Sequence, residues 1–229
     1  MTPGPNAPAL TGGLRAVPLR EQATDLLRAR IVTGEFRPGV LYAIGHVAEE
    51  LGVSATPIRE ALIDLVREDL VEMVRNRGFR IREMSEADLD EVVEVRRMLE
   101  VPAIRRVADG HLVGDLTEAR ALSQAIEACT READWSGFVA QDRALHLLLL
   151  SYLGNKRLVT MVGGLRDLTR LYGLSRVANS AGFAESTHEH DLLLDAVAAG
   201  DGERAAQLME HHLRHTRGIW AGRGEPEWP

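Results

Sequence analysis

Val53-Ser54-Ala55-Thr56-Pro57-Ile58-Arg59-Glu60-Ala61-Leu62 and, after it, Arg75-Asn76-Arg77-Gly78-Phe79-Arg80-Ile81 are the stretches on which the reading of this 229-residue chain turns. The first reads as the start of a short amphipathic helix. Ser54 or Thr56 is placed to cap it, Pro57 suits its first turn, and Ile58, Leu62 and Leu65 form an apolar stripe at helical spacing. The second reads as a β-hairpin with an arginine-rich tip, where Gly78 lets the backbone approach a partner closely. A helix with Ser, Thr and Arg at its N-terminus, followed by a basic hairpin, is the layout of a winged helix-turn-helix. Such a module sets its recognition helix in the major groove of double-stranded DNA and its wing against the backbone or minor groove.

Working outward, Leu19 to Val32 reads as a helix with Ala23, Leu26, Leu27 and Ile31 on one face, ended by Gly34 and Pro38. Val47 to Leu51 is a short second helix stopped by Gly52, Pro57 to Glu68 the third, and Val71 to Arg82 the hairpin. Ser85-Glu86-Ala87-Asp88 then opens a new helix with a capping-box pattern, which puts a domain boundary near Glu83. Beyond it strand-like alternation is absent. Helices are expected near 86–108, 115–129, 134–153, 156–178, 185–199 and 202–219, separated by Gly110, Gly154-Asn155, Gly182 and Gly200-Asp201. Pro102 is expected to kink the first of them or force a local irregularity. The fold class is therefore mainly α: a winged helix-turn-helix over residues 18–83 and an all-helical six-helix bundle over 84–220. Residues 1–17 are expected to be a disordered leader and 221–229 a tail.

Composition limits the partners. The formal charge is −7, yet residues 1–80 hold ten Arg against ten Asp and Glu, which leaves 17 of the 27 basic and 24 of the 34 acidic residues for the remainder. The N-terminal part is thus neutral and its non-specific attraction to DNA modest, while the acidic C-terminal part would not itself lie on DNA. Cys129 is the only cysteine, so no intrachain disulfide is possible and a reducing compartment is expected. The longest apolar run, Leu147-Leu148-Leu149-Leu150, is far too short to span a membrane, and Met1 to Gly13 lacks the pattern of a signal peptide. A cytoplasmic protein is expected.

Asp142-x-x-x-His146 projects both side chains from one helix face, one turn apart. With His190 and His212 on later helices, an Asp and three His converging inside a bundle would make a site for a divalent metal. Imidazole nitrogens suit Zn first, with Ni, Fe or Mn as alternatives, and positions remain for water or a carboxylate. The bland reading of Asp142 and His146 is a solvated pair or a side-chain hydrogen bond. Spacing alone also favours His211 with His215 over His212, and His188 is a further histidine nearby, so periodicity leaves open which of them face inward.

The span from about Pro18 to Arg217 resembles the GntR family of bacterial transcription regulators, in the subgroup with a FadR-type all-helical C-terminal (FCD) domain. The match is carried by Gly39, Leu51-Gly52-Val53-Ser54, Thr56-Pro57-Ile58-Arg59-Glu60-Ala61-Leu62 and Arg77-Gly78-Phe79. In the second domain Val95-Arg96, Leu99-Glu100, Phe138, Asp142, His146, Gly154-Asn155, Glu189-His190, Ala199-Gly200-Asp201 and His212-Leu213 complete it. The resemblance implies Asp142, His146, His190 and His212 as metal ligands, and six helices place the chain with the smaller, vanillate-regulator-like branch. Two positions depart from the family: Gly45 and Ala55 stand where arginines commonly touch DNA. Their loss removes two charge-assisted contacts and shifts the burden to Arg59 and the wing.

Arg59 is the leading candidate for base or phosphate contact, against an ion pair with Glu60 or Asp64. Arg75 and Arg77 beside Gly78 suit a phosphate or minor-groove role. Arg80 and Arg82 read as solvated strand positions, and Tyr172, Trp135 and Cys129 as packing residues. Arg96, one turn before Glu100, has two readings: an intrahelical salt bridge worth ~0.3–0.5 kcal/mol, or, by the resemblance, a cation facing the metal pocket to meet an effector carboxylate. Together these point to a homodimeric, metabolite-responsive regulator, a repressor, reading a palindromic operator and binding a small organic acid at its metal. Its competitors are a metal-dependent enzyme built on the bundle and a regulator whose metal is purely structural.

Overall fold

The computed structural model describes residues 18–169 and 183–220. The N-terminal domain runs α1 (Leu19–Val32), β1 (Leu41–Tyr42), α2 (Ile44–Glu50), α3 (Ala55–Arg67), β2 (Val71–Val74) and β3 (Gly78–Ile81). Its core gathers Leu27 and Ile31 of α1, Val47 of α2, Ile58, Leu62 and Leu65 of α3, and Phe79 and Ile81 of β3. Phe36, Tyr42 and Phe79 close one end as a ring cluster, with Tyr42 stacked on Phe79 at 5.7 Å between centroids. Leu26, expected inside, is 41% exposed. The buried stripe of α1 is Ala23, Thr24, Leu27 and Ile31, and at 100° per residue Leu26 falls about a third of a turn to its side.

α3 begins at Ala55, two residues before the expected start, with Ser54 at the N-cap position but without a side-chain capping bond. Pro57 stays within the first turn, where its missing N–H costs nothing. The sheet has the order β1-β3-β2, all antiparallel, with Val71 opposite Ile81 and Val74 opposite Gly78. Gly78 has φ of +133°, and a Cβ there would sit 2.0 Å from the Tyr42 carbonyl oxygen. The close approach that requires glycine is therefore made to β1 of the same domain.

Among the described residues the second domain comprises α4 (Glu86–Asp109), α5 (Thr117–Arg131), α6 (Trp135–Ser151), α7 (Lys156–Thr169), α8 (Phe183–Ala199) and α9 (Gly202–Trp220). Ser85 caps α4 in a complete capping box: its Oγ accepts from the Asp88 amide at 3.2 Å and its own amide donates to the Asp88 carboxylate at 2.9 Å. Asp134 caps α6 by accepting from the Gly137 amide at 2.9 Å. α4 passes through Pro102 as one continuous helix. The bundle core is built from Leu89, Ile104 and Val107 of α4, Ile126 of α5, Leu145 and Leu149 of α6, Leu194 of α8 and Leu213 of α9. Trp135 and Cys129 pack on that core, as expected.

Among the described residues, Met84 and Leu168 help tie the domains. Met84, in the linker, packs against both cores, and Leu168 near the end of α7 packs against the N-terminal one. Among the described residues no helix is long and apolar enough to cross a membrane. The expected leader, the 221–229 tail, Tyr172, Gly182 and the helix beyond Thr169 lie outside the described residues.

Candidate metal centre and nucleic-acid interface

Three helices converge on one point inside the bundle. α6 supplies Asp142 and His146, α8 supplies His190 and α9 supplies His212, and one ligand atom from each lies within 4.8 Å of all the others. Asp142 Oδ1 stands 3.2 Å from His190 Nε2, 3.6 Å from His146 Nε2 and 3.8 Å from His212 Nε2. All three histidines are buried. The His146 and His212 rings lie near parallel, 5.0 Å apart, while His190 tilts across both.

The donor set fits a divalent cation. Buried polar atoms without partners cost about 1–3 kcal/mol each, and they are rare in folded proteins. Here His146 Nε2 and both ring nitrogens of His190 make no aligned hydrogen bond among the described residues. Carboxylates behind the rings fix the other nitrogens: His146 Nδ1 lies 3.0 Å from Glu100 Oε2 and His212 Nδ1 lies 2.8 Å from Glu189 Oε2. A carboxylate at Nδ1 places the ring proton there and leaves the Nε2 lone pair pointing inward, which is how metal-binding histidines are oriented. Burial, reinforced by the Arg166 cation, lowers the His146 pKa to about 3, so the imidazole is neutral. Burial also lowers that of His190, against the pull of Asp142.

Arg166 of α7 organises the acidic side of the site. Its Nη1 donates to Asp142 Oδ2 at 2.6 Å and its Nη2 to Glu100 Oε2 at 2.9 Å. Glu100 Oε1 accepts in turn from Arg96 Nε at 2.7 Å. Burial alone would raise both carboxyl pKa values; Arg166 beside each, with Arg96 beside Glu100, holds them well below the usual range. Of the two readings of Arg96, the geometry shows the bridge. Arg96 makes the intrahelical bridge to Glu100, and that bridge is buried against the site instead of being solvated. The arginine that touches a candidate ligand directly is Arg166, which the sequence reading missed. Its signal was present: Arg166 occupies the buried stripe of α7, four residues after Val162 and three before Thr169.

The surplus histidines separate cleanly. His188 is exposed. His211 and His215 turn to the other oxygen of Glu189, with His211 Nε2 3.1 Å and His215 Nδ1 2.5 Å from Oε1. Glu189 was quoted only as part of the resemblance, and nothing local in the sequence says which histidines it meets.

At the other end of the chain, Ser54, Thr56 and Arg59 are all exposed along the N-terminal part of α3. The competing pairing of Arg59 with Asp64 is not made: Arg20 of α1 holds Asp64 through two bonds of 2.8 and 2.5 Å. In the wing, Arg80 pairs with Glu72 at 2.6 Å and Arg82 pairs with Asp69, so these two are neutralised across the sheet. Arg75 and Arg77 flank Asn76, which takes a left-handed φ of 58°, and both are exposed at the tip. At Gly45 a side chain would meet nothing within 4 Å, so packing does not forbid the missing arginine.

Residues 19–81 match the model of the bacterial regulatory proteins of the gntR family, and residues 91–215 match that of the FCD domain. The HTH-type transcriptional repressor GlaR of Escherichia coli (strain K12) is 32% identical over 196 residues, covering 82% of this chain and 89% of its own. The HTH-type transcriptional regulator McbR of the same organism is 27% identical over 209 residues, covering 89% and 95%. Among solved structures, E. coli McbR/YncC has the same fold with a TM-score of 0.83 at 24% identity, over 90% of this chain and 99% of its own. A putative transcriptional regulator GntR from Rhodococcus sp. RHA1 gives a TM-score of 0.76 at 25% identity over the same shares.

Proposed function

We infer the function from this premise: the chain belongs to the GntR family of bacterial regulatory proteins and carries their FCD domain, so it is a DNA-binding transcription regulator and not an enzyme. It acts as a homodimeric, cytoplasmic repressor that reads a palindromic operator and answers to a small carboxylate held at a divalent metal. Ser54, Thr56 and Arg59 contact bases and phosphates in the major groove, and Arg75 and Arg77 contact the adjacent backbone or minor groove. Gly78 serves by keeping the wing folded against β1.

The observation that carries the effector reading is the charge balance around Asp142. Glu100 and Asp142 face Arg96 and Arg166 while Glu189 stands behind His212, so three carboxylates meet two guanidiniums, one negative charge in surplus, and the three histidines offer ring nitrogens as donors. Asp142, His146, His190 and His212 would hold Zn, with Ni, Fe or Mn as alternatives; the ion supplies a Lewis-acidic position for an oxygen donor. A divalent charge leaves the site one unit positive, which one carboxylate neutralises. Arg166, already in bidentate reach of two carboxylates, is placed to reorient toward an incoming one.

Two elements lead from there to the DNA-binding domain. α4 carries Arg96 and Glu100 and starts at the linker. α7 carries Arg166 and, two residues on, Leu168 in contact with the N-terminal core, while Arg28 of α1 is within electrostatic reach of Asp167. A ligand that repositions Arg166 therefore bears on the placement of the winged domain, provided it prefers one placement over the other. Calorimetry with sugar acids, aromatic acids and dicarboxylates, on metal-loaded and chelated protein, tests the reading together with operator titrations. A matching acid should bind only with metal present and change operator affinity. Acid binding that survives chelation, or that leaves DNA affinity untouched, would overturn it in favour of a structural metal.

A further inference from the structure

We propose that Glu189, His211 and His215 form a second divalent-cation site, joined to the first through the Glu189 carboxylate. The four candidate ligands of the first site do not use His211 and His215, yet these two stand one turn apart on α9, the spacing at which two imidazoles chelate one ion. His211 Nε2, His215 Nδ1 and a Glu189 oxygen all lie within 4.8 Å of one another. An ion bound by nitrogen and oxygen at about 2.0–2.2 Å spans tetrahedral ligand pairs of roughly 3.3 Å. The separations from Glu189 Oε1, 3.1 Å to His211 and 2.5 Å to His215, are both shorter than that span and reach it by a sub-ångström opening, while the two imidazole nitrogens lie within 4.8 Å of each other.

Burial and chemistry agree on what kind of site this is. Glu189 and His215 are buried, whereas the His211 side chain keeps 16% of its surface exposed, so the ion enters past His211. Three protein ligands leave a position for water, as in exchangeable sites. Two imidazoles and one carboxylate favour Zn, Ni, Co or Cu over Mg or Ca. On binding, the ion takes the place of the proton between His215 Nδ1 and Glu189 Oε1, and a neutral His215 carries its proton on Nε2 instead. Glu189 Oε2 meanwhile keeps its bond to His212 Nδ1 at 2.8 Å. One carboxylate thus ligates the second ion and orients a ligand of the first.

Equilibrium dialysis of the full chain against Zn2+, with elemental analysis, reads the stoichiometry. Wild type should saturate at two equivalents per protomer, His211→Ala at one and His146→Ala at one, with the double variant at none. His211 is the least buried of the three ligands, so that variant is expected to keep its fold, and circular dichroism checks it. Glu189→Gln should lose the second equivalent and also weaken the first by about 10–100-fold, an effect that loss of a simple ligand to the second site would not produce. Saturation of the wild type at one equivalent, or a second equivalent that survives both His211→Ala and His215→Ala, would overturn the proposal. The first site fails separately, through an unchanged stoichiometry in His146→Ala.

Discussion

Arg166 Nη1 donates to Asp142 Oδ2 at 2.6 Å, which leaves Oδ1, and only Oδ1, turned toward the three histidines. A cation from α7 thereby sets the rotamer of a candidate ligand on α6. Removing one partner of a buried pair leaves an uncompensated charge and costs about 3–5 kcal/mol. Arg166→Met strands Asp142 and leaves Glu100 to Arg96 and His146, so metal-free protein should lose stability of that order in urea titrations. Added Zn2+ should restore part of it, because a bound dication answers the Asp142 charge. A metal-free midpoint equal to that of wild type would show that Arg166 does not hold the site.

The convergence of α6, α8 and α9 makes the histidines unequal. His146→Ala, His190→Ala or His212→Ala should each abolish the tightly held metal, as read by elemental analysis after dialysis. His188→Ala should leave it in place, since His188 points to solvent. Tight metal retained in His212→Ala would mean that α9 presents a different face to the site.

Much of the architecture was legible because it is local. The Ser85 capping box, the glycine stops and the apolar spacing of Ile58, Leu62 and Leu65 place α3, the hairpin and the start of α4 within a residue or two. The four candidate ligands were named by resemblance, since periodicity could not choose between His211 and His212. Legibility ended at pairings across helices. Glu189 receives His212 on one oxygen and His211 with His215 on the other, and Arg166 bridges Asp142 to Glu100. Such contacts depend on how helices distant in sequence are rotated against each other, which no window of residues encodes. Leu26 failed for a smaller reason: a narrow buried stripe excludes a residue that a wider one would take.

The cap on α4 gives a pH signature. The Ser85 hydroxyl and amide, both bonded to the Asp88 carboxylate, lower its pKa from the ordinary 3.8. A carboxyl lowered in the folded state contributes stability fully above its unfolded value and loses it as pH falls through the folded one. Ser85→Ala should therefore cost about 1 kcal/mol at neutral pH, the usual worth of an N-cap. The difference from wild type should shrink below the 3.8 of an unfolded Asp. A gap that stays constant down to low pH would rule out the carboxylate half of the box.

No ion pair to Arg59 appears among the described residues, Asp64 being held by Arg20, and Arg77 is exposed at the wing tip. Arg59→Ala should weaken binding to a selected operator by roughly 1–3 kcal/mol and relax its base preference. Arg77→Ala should weaken binding to all sequences and make the salt slope shallower by about one unit. Titrations at several salt concentrations separate the two effects. Unchanged affinity in both variants would refute α3 as the recognition helix.

Leu168 offers the sharpest test of how the two domains communicate. It lies two residues beyond Arg166 on α7, half-buried, and packs against the N-terminal core, while Arg166 stays bonded at the metal cluster. Under the proposed effector reading, a displacement of Arg166 would pass along about half a turn of one helix to a contact on the DNA-binding domain. Leu168→Ala shortens that contact without touching Asp142, His146, His190 or His212. Metal content and acid binding should match wild type in calorimetry, and operator affinity without effector should change little. The effector-dependent change in operator affinity should fall, because the helix then moves without engaging the winged domain. A full response in Leu168→Ala would assign the coupling to α4 and the Ser85 linker instead.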